Sequence, residues 1–190
     1  MVDAVNAADV ALMNWLRSWD TPWFDLLMTW ISAAGGGGAV WLTLGIIALL
    51  RPRDRAAAWR VMLTILLCYA MVDGVLKPLI GRSRPSVTAF ASKRELPPVP
   101  ADTSFPSGHA TSTFGAAVAV SRMWPQTRIV WWTLAVLIGY SRIYLGHHYP
   151  FDVLGGAIIG IALALWVLGG RHPATYARTR CSEPGVVVRP

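Results

Sequence analysis

Residues 152–169 read DVLGGAIIGIALALWVLG, a stretch of 18 in which Asp152 is the only charge. A bilayer core takes about 20 apolar residues per helical crossing, so this stretch reads as a membrane helix with a carboxylate at one end. Working outward, residues 127–141 form another apolar run, bounded by Arg128 and Arg142, and residues 108–123 form a third. Residues 56–76 make a further crossing. Residues 23–50 are apolar apart from Asp25 and are interrupted by Gly35–Gly38. As a single helix that segment would span about 42 Å, enough to cross at a tilt. A re-entrant hairpin is the alternative. The composition agrees, since 54% hydrophobic and 14% charged residues leave too little polar surface for a soluble domain of this length. The expected fold is all-α, a polytopic membrane helix bundle of about five crossings.

Ahead of the bundle, Val5, Leu12, Trp15, Leu16 and Trp19 recur near helical spacing, with Asp3, Asn6, Asp9 and Arg17 between them. That pattern predicts an amphipathic helix at the membrane surface, and a helix packed on the bundle would show it too. The domain reading is therefore an interfacial helix over 1–22, a membrane domain over 23–170 and a polar tail over 171–190. The first sixteen residues lack the basic segment of a secretory signal.

The net charge of +7 does not form one basic cluster, which argues against a nucleic-acid partner. Ten of the 17 basic residues (Arg51, Arg53, Arg55, Arg60, Arg122, Arg128 and four in the tail) fall beside turns on one side of the expected bundle. Basic residues are enriched on the cytoplasmic side, so the expectation is a cytoplasmic C-terminus and an exterior N-terminus. Cys68 lies inside an apolar run and Cys181 in the tail, without metal-ligand spacing.

Three polar blocks then fall on the outer face. Lys77-Pro-Leu-Ile-Gly-Arg-Ser-Arg84-Pro85 ends one crossing, and Pro106-Ser107-Gly108-His109 opens the next. Ser141-Arg142 through His147, His148, Tyr149 and Asp152 joins the last two. Lys77, Arg84 and Arg142 supply three cations, and ionisable groups at membrane depth mark function. Arginine forks match phosphate oxygens. Ser107 and Gly108 open a helix, whose free N–H groups suit an anion. His148 and Asp152 are four residues apart, so on a helical turn the carboxylate can reach one ring nitrogen and leave the other to attack phosphorus. His109, on a different loop, is placed to protonate a leaving oxygen.

The order K-x6-RP, PSGH, SR-x5-H-x3-D resembles the type 2 phosphatidic acid phosphatase superfamily at all eleven specified positions. The resemblance covers residues 23–170 and implies an acid phosphatase/vanadium haloperoxidase-like core. It implies Lys77, Arg84, Ser107, Gly108 and Arg142 as phosphate-binding residues. It implies His148 as nucleophile, Asp152 as its partner and His109 as general acid, with no metal or other cofactor. The chain is smaller than six-crossing members and looks like the short bacterial polyprenyl diphosphate phosphatases. The expected substrate is a lipid phosphate or diphosphate: undecaprenyl diphosphate, phosphatidylglycerol phosphate or phosphatidic acid. Oligomeric state is left open.

Other readings compete. His109, His147 or His148, and Asp152 could ligate a metal, although three nearby cations would repel one. The same fold could cradle vanadate, but those relatives are soluble. A lipid-phosphate carrier or flippase would bind without hydrolysis, yet the chain shows no repeated halves. His147, five residues from Asp152, is read as structural. Asp73 is kept outside the site as a partner for Lys77 or Arg82, and Tyr144 and Tyr149 are read as interface anchors. Residues 86–105 are expected to cover the pocket.

Overall fold

The computed structural model describes residues 2–18, 21–85 and 102–169, and the regular elements among them are helices. The expected cover loop, apart from residues 102–105, lies outside the described residues, as do the tail, Trp19 and Cys181. In chain order the helices are α1 (Val2–Leu16), α2 (Pro22–Gly35), α3 (Ala39–Leu49), α4 (Arg55–Met71), α5 (Lys77–Ile80), α6 (Gly108–Met123), α7 (Arg128–Tyr144) and α8 (Pro150–Val167). Pro22–Leu49, Arg55–Ile80 and Pro150–Val167 are each long and apolar enough to cross a membrane. With α6 and α7, at 16 and 17 residues, they make the bundle.

The glycines at 35–38 do not close a hairpin. A short 3₁₀ turn over Gly36–Gly38 kinks one helical stretch, with Gly37 and Gly38 at φ of 58° and 70°. That left-handed backbone is open to glycine and costly for a side chain bearing Cβ. Between α4 and α5, Val72–Leu76 form a π-helical turn immediately before Lys77. Such wide turns break the α-helical repeat and often sit at functional sites.

In lipid, apolar side chains gain little by packing on one another, so cohesion comes from close helix approach and interhelical hydrogen bonds. The central helix α6 uses both. Its small residues Ala110–Thr113 and Gly115–Val120 are buried against α8, α4 and α7. A Cβ at Gly160 of α8 would run into the Thr111 carbonyl, and one at Gly156 would lie 2.7 Å from the Ser107 carbonyl oxygen. The indole N–H of Trp41, fully buried, donates to Thr113 Oγ at 3.1 Å. Trp23, Trp30, Leu66, Ile129, Ile158 and Trp166 point outward, as a bilayer-facing surface requires.

α1 and two tyrosines take particular places in the bundle. α1 packs on α7 and α8 with Met13 and Asp9 fully buried, while Leu12 and Trp15 are exposed, so Asp9 faces the bundle. Tyr144 is no interface anchor: it is buried, and its hydroxyl donates to Asp25 Oδ1 at 2.6 Å. That bond also accounts for the single charge within residues 23–50. Tyr149 carries the Arg82 guanidinium over its ring at 4.4 Å.

Candidate active site

The end of α5, the start of α6, the end of α7 and the start of α8 meet at one end of the bundle. The backbone ties them together, with Ser107 N–H donating to the Asp152 carbonyl at 3.0 Å. The N–H groups of His147 and His148 both donate to the Arg142 carbonyl, at 3.0 and 3.2 Å. All eight residues singled out in the sequence lie here.

His148 is 2% exposed. Its Nδ1 lies 2.9 Å from the Ser104 carbonyl oxygen, which can only accept, so this nitrogen carries the proton. The remaining lone pair is on Nε2, which faces Arg84 Nη1 at 3.1 Å. Asp152 does not set this tautomer directly. Its Oδ2 is 3.8 Å from Nδ1, an ion-pair distance beyond hydrogen bonding. The carboxylate instead accepts from Ser104 Oγ, from Tyr149 N–H at 2.9 Å and from Arg82 Nη1 at 2.5 Å. Ser104 thus links the two, its carbonyl on the imidazole and its hydroxyl on the carboxylate. Burial pulls the His148 pKa down to about 4, and the charges of Arg84 and Arg142 pull the same way against Asp152. The ring is therefore neutral at physiological pH, the form a nucleophile needs.

The cations hold ordered places. Lys77 Nζ pairs with Asp73 Oδ1 at 2.8 Å and with Asp102 Oδ2. Arg84 donates from Nε and Nη2 to Asp102 Oδ1, at 3.1 and 2.6 Å, and from Nη1 to the His147 carbonyl at 2.7 Å. His147 thus serves the site through its backbone. Burial opposes charge on Asp102, but hydrogen bonds from Lys77 and Arg84 hold its carboxyl below the usual carboxylate range. A carboxylate occupies the donors that would grip a phosphate. Arg142 is 6% exposed; Nη1 donates to Ser32 Oγ, and its buried Nε has no partner among the described residues.

Ser107 caps α6, its Oγ accepting from Ala110 N–H at 3.4 Å. Its own N–H is spent on Asp152, so the first-turn donors left for an anion are the amides of Gly108 and His109. His109 lies in the first turn of α6 beside the glycine kink, where a Cβ built on Gly36 would sit 3.9 Å from its Nε2. No group of three His, Cys, Asp or Glu side chains among the described residues forms a metal-ligand cluster.

Sequence reasoning missed Ser32, Asp102, Ser104, Arg82 and Asp9. Arg82 and Ser104 sit within or beside quoted blocks, yet nothing in the spacing marks them. Asp9 falls between the apolar positions of the amphipathic pattern, which does not mark it for the site.

One end of the bundle thus gathers a buried imidazole, three cations and the mouth of a helix, a setting that suits a phosphate anion. Residues 57–175 match the PAP2 superfamily, and the chain belongs to that family. It is a membrane protein and a lipid phosphatase of that class. Among curated relatives, the chain is 29% identical to a lipid A 4'-phosphatase of Bacteroides thetaiotaomicron over 84% of its own length and 75% of the relative's. It is 42% identical to the undecaprenyl-diphosphatase BcrC of Bacillus subtilis, over 36% of this chain and 35% of that one. Among solved structures it resembles LpxE of Aquifex aeolicus, with a TM-score of 0.73 and 28% identity over 84% of this chain and 94% of that one.

Proposed function

We propose that this chain hydrolyses a membrane lipid phosphate or diphosphate through a phosphohistidine on His148 Nε2, without a metal. Lys77, Arg84, Arg142 and the amides of Gly108 and His109 hold the phosphoryl oxygens, displacing the Asp102 carboxylate. The Nε2 lone pair attacks phosphorus as the bond to the leaving oxygen breaks. The electron pair goes to that oxygen, which takes a proton from His109. Nδ1–H stays on the Ser104 carbonyl and stabilises the charge that develops on the ring. Water then attacks phosphorus and passes its proton to His109, and the P–N bond returns its electrons to Nε2 as phosphate leaves. The observation that carries this reading is the His148 tautomer, with Nδ1 tied to a carbonyl and Nε2 facing Arg84.

Undecaprenyl diphosphate, phosphatidylglycerol phosphate and phosphatidic acid are the candidate substrates, and the relatives' printed names add lipid A phosphates. The lipid tail would reach the site sideways from the bilayer. We place the chain in a bacterial inner membrane, with the site facing the exterior and the C-terminus in the cytoplasm. Supporting this, Arg51 lies over Trp124 at 5.9 Å, and Trp124 Nε1 donates to Asp54 Oδ2 at 3.4 Å. The basic turns around residues 51–55 and 122–128 thus share the end away from the site.

The test is phosphate release from a panel of these lipids in detergent with excess chelator, for wild type and His148→Ala together. Chelator-resistant release that the mutant lacks, with an acid-labile phosphoenzyme trapped from the wild type, is the expected result. Release that dies with chelator, or persists in His148→Ala, overturns the mechanism. Binding without release from any lipid would return the carrier reading.

A further inference from the structure

Arg82 belongs to none of the phosphate-binding groups, yet it sits at the centre of a closed polar network. Nη1 pairs with Asp152 Oδ1 at 2.5 Å and Nη2 with Asp9 Oδ2 at 2.7 Å. Nη2 also reaches Asn6 Oδ1 at 3.2 Å, and the guanidinium lies over the Tyr149 ring. The Arg82 carbonyl accepts from Ser104 N–H at 2.7 Å. Asp9 uses its second oxygen to accept from the Phe151 N–H, at the start of α8, at 3.0 Å. Asp9 and Asp152 are both fully buried. A buried carboxylate is costly unless paired, so these two hold Arg82, and it holds them, with little freedom.

Arg82 therefore grips both ends of the device that orients the nucleophile. Through its side chain it fixes Asp152, and through its carbonyl it fixes Ser104, whose own carbonyl sets the His148 tautomer. The helix outside the crossings enters the site by the same route, because Asp9 of α1 fixes the far side of the guanidinium. We propose that Arg82 and Asp9 are positioning residues for the hydrolytic reaction, and that α1 is an integral part of the active site. This rests on His148 being the nucleophile.

The charges facing His148 are Arg84, Arg142 of α7 and Asp152 of α8, with His147 beside it and His109 across on α6. Removing the Arg82 charge leaves Asp152 less neutralised, which favours the imidazolium. Loss of Arg82 should therefore raise the pH below which His148 becomes protonated.

The experiment compares Arg82→Gln, Arg82→Lys and Asp9→Asn with wild type and His148→Ala, on full-length protein in detergent. It measures kcat, KM and the acid limb of kcat against pH. Arg82→Gln should lower kcat by on the order of 10-fold or more, since small misplacements of reacting groups are costly. Its KM should stay within about two-fold, because Arg82 binds no phosphate, and its acid limb should move to higher pH. Arg82→Lys should recover part of the rate and the wild-type limb, and Asp9→Asn should lower kcat several-fold at unchanged KM. If Arg82→Gln fails to fold, the other two variants still decide. Wild-type kcat in both Asp9→Asn and Arg82→Lys overturns the proposal, as does a raised KM with unchanged kcat in any variant. Activity surviving in His148→Ala would instead sink the phosphohistidine reading beneath it.

Discussion

In the proposed mechanism Asp102 is the group that a substrate displaces, and Asp102→Asn tests whether it competes. Its carboxylate takes Lys77 Nζ together with Arg84 Nε and Nη2, the donors a phosphate would use. Its side chain is 44% exposed, so solvent screens these pairs, and exposed ion pairs are worth about 0.2–1 kcal/mol each. Two such pairs come to about 0.4–2 kcal/mol, and with about 1.4 kcal/mol per tenfold, freeing the cradle should tighten binding by about 2–25-fold. Asparagine keeps the shape and an acceptor oxygen, so the gain should fall toward the lower figure. The depressed pKa means the wild-type carboxylate is charged at all pH values above the usual carboxylate range, and its competition is lost only as pH falls through the depressed value. The difference should therefore persist across any neutral assay. The measurement is KM and kcat for a short-chain lipid phosphate in micelles at fixed ionic strength, with inorganic phosphate inhibition alongside. A lower KM and tighter phosphate inhibition at similar kcat are expected. An unchanged or raised KM would refute the reasoning, and would mean that Asp102 arranges Lys77 and Arg84 for the substrate.

Three further outcomes are expected. In Ser104→Ala the carbonyl remains but Asp152 loses one hydrogen bond, worth about 1 kcal/mol, so kcat should fall about fivefold at unchanged KM; an unaltered kcat removes the hydroxyl from the account. Nitrogen-15 NMR of ring-labelled histidine should show His148 protonated on Nδ1 alone at pH 6, because a pKa held near 4 keeps the ring neutral until pH falls to that value; an imidazolium signal at pH 6 contradicts the burial argument. Gly160→Val places side-chain atoms against the Thr111 backbone and should destabilise the bundle by about 1–3 kcal/mol, read as a lower thermal midpoint in detergent; an unchanged midpoint would mean that α6 and α8 have slack.

Much of the site was legible because its chemistry is written in residue types that a membrane chain rarely tolerates. Lys77, Arg84, His109, Arg142, His148 and Asp152 stand out against apolar runs, and run lengths alone put them near helix ends. Local spacing served less well. The separation of four between His148 and Asp152 suggested a direct hydrogen bond, but α8 starts only at Pro150, so His148 lies outside the helix and the carboxylate turns to cap it. Asp9 went unmarked for a related reason. Amphipathic spacing separates polar from apolar faces, and it cannot say whether the polar face meets water or a buried arginine.

The sequence by itself determined the solvent, the helical class and the phosphate chemistry, because hydropathy and charge act locally and over fixed lengths. Tertiary structure alone decided which partners each ion has. Ser104 reaches His148 across 44 positions, Arg82 reaches Asp152 across 70 and Asp9 across 73. Such contacts leave no periodic trace, since they form only when glycines let α6 and α8 close together and α1 packs against α7 and α8. The proposed nucleophile was visible as a residue, while its tautomer and the network that holds it exist only in the folded chain.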